Sequence, residues 1–138
     1  MQAPDPDYRL ALELLSAVVG LMVGSFLATV VLRLPKNLPI VLDRSACPHC
    51  GRTLTPIELI PVVSWIVLRR RCRACGGPIS AFYPVVELLS ALVAVASVHW
   101  MPWPGAIVAC LAGWCVLVVG GLVIRKWVPG SAGPGAQI

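Results

Sequence analysis

Three apolar runs constrain this chain more than any other feature. They are "LALELLSAVVGLMVGSFLATVVL" from Leu10 to Leu32, "YPVVELLSALVAVASVHW" from Tyr83 to Trp100, and "GAIVACLAGWCVLVVGGLVI" from Gly105 to Ile124. A bilayer core about 30 Å thick takes about 20 apolar residues at helical rise. The first and third runs meet that length, and the second lies at its short end. Hydrophobic residues make up 58% of the chain and charged residues 12%, far from a soluble domain. Trp100, Trp103 and Trp127 stand at run ends, where indole rings favour the membrane interface. The expected fold class is therefore an α-helical integral membrane protein with about three transmembrane helices.

Charge supplies the topology. Eight of the eleven Lys and Arg residues fall between Arg33 and Arg73, in the loop between the first two runs. Positive loops stay inside, so this one is expected in the cytoplasm, beside anionic lipid headgroups. "MPWP" from Met101 to Pro104 then lies outside, and Arg125 and Lys126 lie inside. The leading "MQAPDPDYR" carries acidic residues and lacks the positive region of a signal peptide. The first run is expected as a retained helix with its amino end outside, in a multi-pass membrane protein. Nucleic acid is not expected as a partner, because the basic residues serve topology.

The expected organisation is an outer segment (1–9), a first helix (10–34), a cytoplasmic loop (35–82), a second helix (83–101), a third (105–125) and a flexible tail (126–138) rich in Gly and Pro. On the first helix Ser16, Gly20, Gly24 and Ala28 recur every fourth residue. Small residues at that spacing let another backbone approach closely. The third helix, with Gly113, Gly120 and Gly121, or a separate protein is the expected neighbour. Within the loop, "PIELIPVVSWIVL" is apolar but too short to span and is broken by Pro56 and Pro61. It suits an interfacial segment or the filling of a small loop domain.

The chemistry of the loop lies in Cys47, Cys50, Cys72 and Cys75, spaced Cys-x2-Cys-x21-Cys-x2-Cys. Four thiolates in two such pairs suit tetrahedral zinc, and four cysteines close its coordination sphere, so the metal is expected to be structural. "CPHCG" and "CRACG" both end in Gly, which admits the turn that aims amides at sulfur. Disulfides and a redox pair are the alternatives in a reducing compartment. His49 lies inside the first pair and is not expected to be a ligand. Cys110 and Cys115 read as buried small hydrophobes. Glu13 is placed to reach the outer interface. Glu87 is placed either to pair with a loop arginine or to cap the zinc domain, in a structural or a functional role. Asp43 and Arg44 read as polar loop groups. No Gly-rich phosphate loop and no Ser-His-Asp arrangement is present, so no catalytic residue is assigned.

The blocks "GLMVGSFLATVVLRLP", "RSACPHCG", "IPVVSW", "RCRACGGPIS" and "YPVVELL" occur in that order from Gly20 to Leu89. Together they resemble the amino-terminal domain of the type IV prepilin peptidases, the A24 leader peptidase/N-methyltransferases of type IV pilus and type II secretion systems. The resemblance implies prepilin or pseudopilin substrates, leader cleavage, and N-methylation from S-adenosylmethionine. It also implies two peptidase aspartates, in Leu-Pro-Asp and Gly-x-Gly-Asp motifs. Here "WVPG" stands where the first is expected, with Gly130 in place of Asp, and no Asp follows Asp43. On that reading the chain is not an aspartic peptidase by itself. It works with a separate aspartate-bearing subunit, methylates only, or is an inactive zinc scaffold or a remnant. Two further departures are Ala28 where the family carries Asn, and Arg70 where it carries Gly. The second adds bulk where a ligand's approach to backbone is implied.

Overall fold

The computed structural model describes residues 6–37, 40 and 45–127. The expectations placed on Asp43, Arg44, Gly130 and the tail beyond 127 lie outside the described residues. Four α-helices are present: α1 (Pro6–Arg33), a short α2 (Val63–Val67), α3 (Phe82–Trp100) and α4 (Gly105–Trp127). Single 3-10 turns follow α1 (Leu34–Lys36) and precede α2 (Pro56–Leu59). α1, α3 and α4 are each long and apolar enough to cross a membrane. Among the described residues there is no strand, only two isolated bridges in the loop.

α1 packs against α3, because its small residues let the two backbones meet. A Cβ added at Gly20 would lie 2.6 Å from the Ala91 Cα, and one at Gly24 would lie 2.6 Å from the Glu87 Cα. Ala28 is buried one turn further on. Ser90, also buried, seals the seam by donating its hydroxyl to the Gly20 carbonyl at 2.7 Å. The small-residue face thus takes the second membrane-spanning helix rather than the third. The reason is steric: α3 presents Ser90 and Ala91 to the glycines, whereas Gly113 and Gly121 of α4 meet bulkier chains. Gly113 faces Val93 of α3, and Gly121 faces Val31 of α1.

α4 lies on the outside of this pair. Trp114 Nε1 donates to the Ser90 carbonyl at 3.4 Å. At the other end, the Arg125 guanidinium donates to the Val31 and Leu32 carbonyls at 3.1 and 3.0 Å. Those carbonyls belong to the last turn of α1, which has no helical partners for them, so a cation there is doubly suited. Cys110 is half-buried and Cys115 is exposed on the outer face of α4. The expectation that both are buried is corrected for Cys115: apolar neighbours in sequence do not say which face of the helix a residue takes.

Glu13 and His99 tie the opposite ends of α1 and α3 together, with the carboxylate oxygen 2.7 Å from Nδ1. Glu13 therefore does more than reach outward; it has a partner on the neighbouring helix.

A candidate four-cysteine metal centre

The loop between α1 and α3 is built from one short motif used twice. In the first copy the Cys47 amide donates to the Arg52 carbonyl at 2.9 Å, and the Gly51 amide donates to the Cys47 carbonyl at 2.9 Å. In the second, the Cys72 amide donates to the Gly77 carbonyl at 2.7 Å, and the Gly76 amide donates to the Cys72 carbonyl at 2.9 Å. Each copy is closed by a bridge at the same register, Ala46 to Thr53 and Arg71 to Pro78. The next bonds outward match as well: Leu54 to the Ser45 carbonyl at 2.8 Å, and Ile79 to the Arg70 carbonyl at 2.7 Å. Gly51 and Gly76 turn the chain at φ +70 and +69, which a side chain would resist.

The two copies face each other and bring four sulfurs together. The Sγ atoms of Cys47, Cys50, Cys72 and Cys75 all lie within 4.8 Å of one another, and those of Cys47 and Cys75 are 3.8 Å apart. Four thiolates about 2.3 Å from one tetrahedral cation stand about 3.8 Å from each other, so the donor set and its spacing fit such an ion. No cysteine pair is bonded as a disulfide. Backbone amides of Cys75 and Ala74 point at the Cys72 sulfur and lower its pKa to about 6. Cys75 is lowered by the Gly77 amide but raised more by burial and its sulfur neighbours, ending at about 11. Thiolate is thus favoured at Cys72 and disfavoured at Cys75.

His49 is outside the cluster. Its ring lies against Gly77, where a Cβ would be 2.6 Å from Cδ2, and its Nε2 is 3.3 Å from the Pro78 carbonyl oxygen. It packs the first copy onto the second. Arg52 and Glu58 lock the first copy from the other side, with Nη2 to Oε1 at 2.6 Å. Glu58 also takes the Thr55 amide and hydroxyl at 2.9 and 3.0 Å. The Arg52 bond, then the Thr55 amide, hold its carboxyl down at about 2.

The apolar segment is not the filling of this centre. Ile57, Val63, Ile66 and Val67 are more than half exposed. It is fastened at two points. Trp65 Nε1 donates to the Ile79 carbonyl at 3.2 Å, which joins α2 to the second cysteine motif. The Val62 amide donates to the Glu87 carboxylate at 2.7 Å, which joins it to α3. Val62 has φ 59 and ψ −49, and the Val63 amide reaches the Pro61 carbonyl at 2.5 Å. This is a γ-turn of the strained kind, and a β-branched residue tolerates it only where its surroundings impose it. Glu87 thus caps the Val62 turn of the apolar segment rather than the cysteine motifs themselves; Arg44, one of the loop arginines it was expected to meet, lies outside the described residues.

Arg70 also receives a backbone explanation. Its φ is 63, a left-handed conformation that glycine adopts without cost. Its side chain lies over the Trp65 ring, 5.8 Å from the centroid, and so adds no bulk against backbone. Residue-level signals for Arg125, His99 and the γ-turn at Val62 were absent from the sequence, since each is defined by a long-range partner.

Residues 18–101, from the middle of α1 through the cysteine centre to the end of α3, match the bacterial peptidase A24 N-terminal domain. The chain belongs to that family. Among its relatives, a prepilin leader peptidase/N-methyltransferase of Myxococcus xanthus is 49% identical over 94 residues, covering 68% of this chain and 28% of the relative. An enzyme of the same name from Aeromonas hydrophila is 39% identical over 125 residues, covering 72% of this chain and 43% of the relative. A type 4 prepilin-like proteins leader peptide-processing enzyme of Escherichia coli is 34% identical over 143 residues, covering 89% of this chain and 53% of the relative. The chain thus spans about half or less of the length of these relatives. No solved structure matches it.

Proposed function

We propose that this A24 amino-terminal domain is the substrate-presenting part of a prepilin-processing system of type IV pili or type II secretion. The observation that carries the proposal is the fastening of the loop to α3 by the Val62–Glu87 bond, with Trp65 joining the same segment to the second cysteine motif. It fixes a folded loop at one end of a three-helix membrane bundle, where a membrane-anchored prepilin or pseudopilin brings its leader. On this reading the loop is cytoplasmic, the amino end of α1 is outside, and the membrane is the bacterial inner membrane. Cys47, Cys50, Cys72 and Cys75 hold zinc, whose closed thiolate set makes it structural. Peptidase aspartates come from a separate subunit, and the chain contributes to N-methylation from S-adenosylmethionine. The relatives' names support both activities, since they join leader peptidase and N-methyltransferase in one protein.

The test is mass spectrometry of a prepilin's amino terminus after co-expression with an aspartate-bearing peptidase, with and without this chain. Cleaved and methylated pilin only when the chain is present supports the proposal. Identical processing in its absence rejects the catalytic reading and leaves an inactive zinc scaffold.

A further inference from the structure

Beside the second cysteine motif is an open cavity of about 420 Å³, lined by Trp65, Arg69, Arg70, Arg71, Ile79 and Ala81 among others. Its lining contains no acidic residue. Among the described residues the three arginines make no ion pair and no side-chain hydrogen bond; Arg70 is held only by its position over the Trp65 ring. Among the described residues the loop and α3 carboxylates are already used. Glu58 is bound to Arg52 and Thr55, and Glu87 to Val62. Glu13 is paired with His99 at the far end of the bundle. Three uncompensated guanidinium groups around one cavity call for an anion, and guanidinium geometry suits a phosphate.

Two further observations fix where that phosphate comes from. Ala81, on the cavity wall, directly precedes α3, so the cavity lies at the depth where the chain enters the apolar span. Next to Trp65, Val63, Ile66 and Val67 are 53%, 61% and 72% exposed, an apolar ridge running beside the cationic cavity. Apolar residues that enter a bilayer surface, together with arginines at headgroup level, match the two halves of an anionic phospholipid. We propose that this cavity binds the phosphodiester headgroup of an anionic membrane lipid while the α2 ridge lies among its acyl chains. Trp65 links the two, with one edge bonded to Ile79 and one face under Arg70. Lipid occupancy would hold α2, and through Trp65 the second cysteine motif, against the bilayer.

The experiment is native mass spectrometry of the full chain, released from detergent micelles containing phosphatidylglycerol or phosphatidylcholine. Expected is at least tenfold stronger retention of phosphatidylglycerol, weakened by salt and abolished in Arg69→Gln/Arg71→Gln while bound metal is unchanged. Equal retention of the two lipids overturns the proposal, as does a double variant that keeps the preference. Displacement of the lipid by millimolar inorganic phosphate assigns the cavity to a soluble phosphate and overturns the lipid source. Should the double variant lose its metal, the wild-type preference and its salt dependence decide by themselves.

Discussion

The Glu87 carboxylate and the Val62 amide are 2.7 Å apart, although 25 residues separate them in the chain. Glu87 is 5% exposed, and its Cα is also where Gly24 of α1 comes closest. One residue therefore joins the loop, α3 and α1. Three of the sequence blocks that resemble the prepilin peptidases, those containing Gly24, Val62 and Glu87, meet at this point.

Replacing Glu87 by Ala leaves the Val62 amide without its partner and removes what imposes the γ-turn. A fully buried unsatisfied donor costs about 1–3 kcal/mol; the Val62 bond is part-buried, so its loss falls toward the lower end. Glu87→Gln keeps an acceptor oxygen and restores most of that loss. Hydrogen exchange at Val62 is the readout: faster in Glu87→Ala, near wild type in Glu87→Gln. Equal protection in all three proteins would show that the turn holds itself.

The α1–α3 seam makes a steric prediction. With a Cβ at Gly24 only 2.6 Å from the Glu87 Cα, Gly24→Val forces the helices apart. Overpacking of this kind costs about 1–3 kcal/mol. Gly120, which has nothing within 4 Å of an added Cβ, is the control: Gly120→Ala leaves thermal stability in detergent unchanged.

The sequence made the three spans and the four cysteines legible, because each rests on a local signal: hydrophobic length in one case, ligand spacing in the other. It showed the small-residue stripe on α1 but not its partner, since Gly20 and Gly24 require only that something approach closely. Selecting α3 over α4 depends on Ser90 and Ala91, whose small size is ordinary in a membrane helix. The exposure of Val63, Ile66 and Val67 was also hidden, because an apolar run reads alike in a core and at an interface.

Glu58 predicts a pH dependence. Its carboxyl is lowered from 4.5 to about 2 by Arg52 and Thr55. Its contribution to loop stability is complete above pH 4.5, the unfolded value, and is lost as pH falls through about 2. The Thr55 amide, 2.9 Å from the carboxylate, reports this directly by NMR. In the wild type its chemical shift stays flat as pH falls toward 4.5, above the acid that would protonate the cysteine thiolates and open the loop. In Arg52→Gln it begins to move in that range, because the carboxyl's value rises toward 4.5; a shift that stays flat in the variant would exclude the guanidinium as the main cause.

The account depends on the cysteine centre being a metal clamp that folds the loop. Metal binding to such a site contributes folding free energy directly, so losing one ligand opens what it holds. The most direct measurement is elemental analysis of the purified wild-type chain and of Cys72→Ser, with limited proteolysis of both loops. Equimolar zinc and a resistant loop in the wild type, with zinc lost and the loop cut in Cys72→Ser, is the predicted result. Zinc-free wild-type protein with a resistant loop, or unchanged zinc and resistance in the variant, would contradict the account.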